Sequence, residues 1–80
     1  MRVTLLDADK FHELARANNA ETHCLCAGFG LGRNVCRFVA VNGEVYAKLS
    51  PIAYREYSGE VHEISDTGDT AKTLKNMLGL

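Results

Sequence analysis

Apolar and polar residues alternate through residues 36–41 and again through 44–49, and the two runs are separated only by Asn42-Gly43. Alternation of this kind predicts a strand with unlike faces, because successive side chains leave a strand on opposite sides. A two-residue Asn-Gly connection predicts a type I′ hairpin turn, in which both central residues need positive φ. Together these set a register in which Val41 faces Glu44, Ala40 faces Val45, Val39 faces Tyr46, Phe38 faces Ala47, Arg37 faces Lys48 and Cys36 faces Leu49. One face then carries Cys36, Phe38, Ala40, Val45, Ala47 and Leu49. The other carries Arg37, Val39, Val41, Glu44, Tyr46 and Lys48.

The same reading extends along the chain. Residues 2–6 form a short Val/Thr/Leu-rich run that predicts a strand, followed at once by Asp7 and Asp9, either of which can cap a helix. Phe11, Leu14 and Ala15 share one helical face while Lys10, Glu13 and Arg16 lie elsewhere, which predicts a helix near 8–18 that stops at Asn18-Asn19. Residues 22–28 read as a further strand, and 29–33 as a glycine-containing loop into the hairpin. Ser50-Pro51 resembles a helix start, with Gly59 as terminator, so a short helix is expected over 51–57; an extended edge segment is the alternative. Residues 60–65 suit another strand. Asp69 is placed to cap a last helix whose stripe is Ala71, Leu74, Met77 and Leu78. The expected assembly is an α+β two-layer sandwich, an antiparallel meander of three to five strands in the order β-α-β-β-β-(β)-α, with both helices on the Cys36/Phe38/Leu49 face.

Composition narrows the class without naming a reaction. Eighty residues, 46% of them apolar and 24% charged, with a single proline, suit one small globular domain over 1–80. The first 20 residues balance three bases against three acids; 21–55 carry +2 from Arg33, Arg37, Lys48 and Arg55 against Glu21 and Glu44; 56–80 carry −3. A strong nucleic-acid binder is expected to show one basic field instead. No run reaches the roughly 20 apolar residues that a spanning helix requires, and no secretion signal is visible, so a soluble, cytoplasmic protein is expected. Three cysteines cannot all pair within one chain, which fits a reducing compartment.

Cys24, Cys26 and Cys36 lie close together beside His23 and admit three readings. Structural zinc takes four ligands, usually with cysteines two to four residues apart; Cys24 and Cys26 have one residue between them. A thiol nucleophile needs a base within reach, from His12, His23 or His62. The third reading is burial, since reduced cysteines behave as small apolar side chains. If Gly28 faces Asn34, then Cys26 faces Cys36, Cys24 faces Phe38, and all three join the core. A slip of one residue exposes Cys24 and Cys26 and buries Leu25 and Ala27 instead. The buried register is the expectation adopted, and no metal or cofactor is expected.

Two surfaces remain as candidates for binding a partner. The first is the outward sheet face, where Arg37, Tyr46 and Lys48 combine with Leu25 and Val39 unless residues 52–65 cover it. The second is the run 56–69, in which Glu56, Glu60, Glu63, Asp66 and Asp69 stand without a base. With no paired carboxylates, triad or phosphate loop, the expected function is not enzymatic: a protein that occupies the surface of another macromolecule, such as a nucleic-acid-binding protein or complex, with a homodimer allowed. In size, compactness and lack of motifs the chain is similar to small phage-encoded inhibitors of host defence, anti-CRISPR proteins among them. The alternatives are a nucleic-acid-binding module using Arg33, Arg37, Lys48 and Arg55, and a zinc or reactive-thiol site at the cysteines. The order of elements also resembles double-stranded-RNA-binding domains, whose last helix opens on lysines. Here that helix opens on Asp69.

Overall fold

The computed structural model describes residues 1–25, 35–49 and 58–80, the side chains of 35, 36 and 49 excepted. The elements run β1 (Arg2–Leu6), α1 (Ala8–Ala17), β2 (His23–Cys24), β3 (Val35–Val41), β4 (Glu44–Leu49), β5 (Val61–Glu63) and α2 (Asp69–Leu78). This is the α+β class and the element order that the sequence predicts. The expected short helix at 51–57 lies outside the described residues.

The hairpin forms where Asn42-Gly43 places it. Asn42 has φ 52° and Gly43 φ 79°, as a type I′ turn requires, and Val41↔Glu44, Ala40↔Val45, Val39↔Tyr46 and Phe38↔Ala47 are paired as expected. Beyond Phe38 the register shifts, so that Val35 faces Leu49 and two residues of β3, Cys36 and Arg37, share the space opposite Lys48. A bulge of this kind re-aims a side chain, and here it removes the direct opposition of two like charges, Arg37 and Lys48.

β2, β3 and β4 form the expected antiparallel meander, but the strand order is β2-β3-β4-β1-β5. β1 pairs parallel to β4, with Thr4 beside Tyr46 and Leu6 beside Lys48, and antiparallel to β5, with Thr4 beside Val61. The sheet is therefore mixed, with its first strand inserted next to the hairpin and its two shortest strands at the edges, which limits the unpaired backbone offered to other chains.

The helices do not share one face, and this corrects the expected placement of α1. Leu74 of α2 packs with Val3, Leu5, Phe38, Val45 and Ala47. Phe11 and Ala15 of α1 pack with Val39 and Val41, flanked by Leu6, Leu14 and Tyr46. Neighbouring residues of one strand point to opposite sides, so Phe38 and Val39 assign α2 and α1 to opposite faces. The reason is visible in the outward face itself. Val39 is fully buried and Val41 nearly so; each is worth about 1.5–3 kcal/mol when taken from water, and α1 is the element that covers them.

Capping follows local chemistry. Asp7 accepts a hydrogen bond from the Lys10 backbone N–H at 3.0 Å through Oδ1 and receives α1 as its N-cap. Asn18 closes the helix and Asn19 follows at φ 49°. Asp69, expected as the cap of α2, is instead its first residue. Gly68 holds the cap position and no side chain caps it.

Candidate functional site

The candidate site lies on the α1 face of the sheet, where β1 and β4 run beside the helix. On α1, residues 10, 14 and 17 form a row next to the buried pair Phe11 and Ala15, because positions three and four apart share a helical face. That row and the strand residues Leu6 and Tyr46 enclose an open groove of about 370 Å³, lined by Leu6, Lys10, Glu13, Leu14, Ala17 and Tyr46. Its walls are chiefly apolar, with Lys10 and Glu13 on the rim. Lys48, the strand partner of Leu6 and two residues from Tyr46, stands at the same end as Lys10. Across Thr4 in the same cross-strand row as Tyr46 lies Val61 on β5, one of the few large apolar side chains among the described residues that is more than 40% exposed, at 43%.

The three residues of the outward face that the sequence joins are in part separated. Tyr46 and Lys48 line up on β4 on the groove side. Arg37 reaches the other way, donating from Nη1 to the Thr22 hydroxyl at 3.1 Å, on the β2 side of β3. α1, which covers Val39 and Val41, is what divides the face. β5 extends the sheet at its edge; residues 52–57, the rest of the segment expected to cover the face, lie outside the described residues.

The acidic run is folded back on the protein's own cations. Asp66 lies 3.0 Å from the Met1 α-amino group and 3.0 Å from Lys75 Nζ. Glu63 lies 3.6 Å from the same amino group and 3.7 Å from Arg2 Nε. The hydrogen bond from the α-amino group, and then that from Lys75, holds the Asp66 carboxyl below its ordinary range. Glu60 sits 3.1 Å from His62 Nε2, and Asp69 occupies the first turn of α2, where a carboxylate complements the helix dipole. Glu56 lies outside the described residues, as do Arg33 and Arg55.

The register of β2 resolves the fate of Cys24. His23 faces Phe38 and Cys24 faces Arg37, one residue away from the expected pairing of Cys24 with Phe38. Cys24 is accordingly exposed, while Leu25 packs against the core in its place. This is the slipped register: Leu25 buries more apolar surface than a cysteine would, and the bulge in β3 alters the spacing on which the other register depends. Cys26 and the Cys36 side chain lie outside the described residues. Among the described residues no three His, Cys, Asp or Glu side chains are grouped so as to hold a metal ion.

The sequence reading names Tyr46, which lines the groove, and Lys48, which stands beside it, as candidates, and does not name Leu6, Lys10, Glu13, Leu14 or Ala17. A helical signal was present, since Leu14 widens the apolar stripe beyond Phe11 and Ala15. The parallel pairing that brings Leu6 and Thr4 alongside has no local signal. Comparison with protein-family models, with curated proteins and with solved structures finds no match to this chain.

Proposed function

We propose that this chain is a non-enzymatic binding protein that acts by occupying the surface of a protein partner, and that it does so through the groove side of the α1 face, with Tyr46 in the groove wall and Lys48 at its end. The observation that carries this reading is the open apolar groove itself. Small-molecule sites enclose most of their ligand, whereas an open groove leaves a small ligand largely in water. An aromatic wall with a polar, charged rim is the composition of a protein interface. The acidic run contributes less, because Glu63 and Asp66 are already engaged by the α-amino group, Arg2 and Lys75. A small inhibitor of host defence, of the phage anti-CRISPR kind, is one member of this class, and an exposed, unpaired Cys24 suits a reducing cytoplasm. No helix among the described residues is long and apolar enough to cross a membrane.

The test is capture from nuclease-treated lysate with wild-type protein and with Lys48→Glu as parallel baits, followed by direct titration of the purified partner. The expected result is a partner retained by wild type and weakened at least about tenfold by Lys48→Glu, which maintains its fold by circular dichroism. Binding to DNA or RNA that falls steeply with salt, with no protein retained, would replace this reading by the nucleic-acid one.

A further inference from the structure

We infer that the groove accepts one large apolar side chain from a peptide segment of a protein partner, with a carboxylate beside that side chain received at the Lys48 and Lys10 end. The inference rests on the proposed protein-binding role and specifies its ligand. Leu6, Leu14, Ala17 and Tyr46 supply the apolar walls, and the volume of about 370 Å³ lies toward the small end of binding sites, which run from about 300 to 1,000 Å³. That is ample room for a large anchoring side chain, the part of an interface that dominates its energy.

Charge decides what flanks the anchor. Lys48, beside Leu6 on the adjoining strand, makes no ion pair among the described residues. Lys10, on the rim, has among the described residues only a 4.0 Å approach to Asp7 Oδ2, whose other oxygen is committed to capping α1. Both cations stand at the end where α1 begins, so the helix dipole adds to them. Of the acids nearby, Asp7 is almost wholly buried and Asp9 is exposed in the first turn of α1. Glu13 stands on the rim one turn further along, where it repels a second carboxylate and sets the direction of the segment. Beyond the anchor the segment crosses Thr4 toward the exposed Val61.

Selection of phage-displayed random 12-residue peptides on the immobilised full chain tests this, with Ala17→Phe and Lys48→Glu as counter-baits. Ala17 is exposed, so Ala17→Phe fills the groove from outside the core. The expected peptides share a large apolar residue with Asp or Glu adjacent to it. Their synthetic consensus should bind at least about tenfold more weakly to Ala17→Phe, shift the amide resonances of Leu6, Leu14 and Tyr46, and regain affinity for Lys48→Glu when its acid is replaced by Lys. Enrichment of peptides lacking the acid, indifference to Ala17→Phe, shifts mapping elsewhere, or closure of the groove by a second copy of the chain would each overturn it. If a purified natural partner is lost on Lys48→Glu but unaffected by Ala17→Phe, the protein-binding role stands and the groove ligand falls. If neither peptides nor any protein bind, both fall.

Discussion

Gly43 shows what one residue contributes. Its φ of 79° lies in the left-handed region, and a Cβ built there meets nothing within 4 Å, so substitution carries a conformational cost without a steric one. Gly43→Ala should destabilise the protein by about 1 kcal/mol, a fall in melting temperature of roughly 4–8 °C for a domain of this size, measurable by circular dichroism. Asp7 acts at the other kind of special position. Its backbone N–H donates to the Ser58 hydroxyl at 3.1 Å while Oδ1 caps α1, so it ties the end of β1 to both the helix and the approach to β5. Asp7→Ala should cost about 1 kcal/mol through the lost cap alone, with Asp7→Asn recovering part of it; urea unfolding of the three proteins checks the order.

At the scale of elements, what matters is which side of the sheet each one addresses. The two faces of the hairpin are legible from alternation, and so are the apolar stripes of both helices. Which stripe meets which face is not, because Val39 and Val41 differ little in kind from Val45 and Ala47. β2 shows how narrow the margin is: a two-residue strand placed one step along exchanges Leu25 for Cys24 at the core. The consequence is testable by alkylation. Iodoacetamide added to the folded protein should modify Cys24 without denaturant, as peptide mapping by mass spectrometry would show. Protection of Cys24 until unfolding would mean that the buried register is the true one.

For the molecule as a whole, the −3 of residues 56–80 does not translate into an acidic surface of that size. β5 and the turn after it bring Glu63 and Asp66 to the start of β1, where the α-amino group, Arg2 and Lys75 meet them. Because the folded state lowers the pKa of Asp66, the carboxylate contributes stability above its ordinary pKa and loses that contribution as pH falls through the folded-state value. The pair is exposed and its contribution small. Asp66→Asn should therefore melt slightly below wild type at neutral pH in low salt, and the gap should close on acidification; a gap that persists in acid would assign the effect to something other than ionisation. The chain by itself determined what depends on neighbours in sequence: the hairpin and its turn, the extents of β1, α1 and α2, and the apolar stripe of each helix, since periodicity and φ preference act within a few residues. Tertiary structure decided the rest. The insertion of β1 between β4 and β5, the opposite faces taken by α1 and α2, the register of β2 and the groove beside Tyr46 all depend on which distant apolar surfaces are covered together. That is a competition among burials of similar free energy, and no local pattern records its outcome.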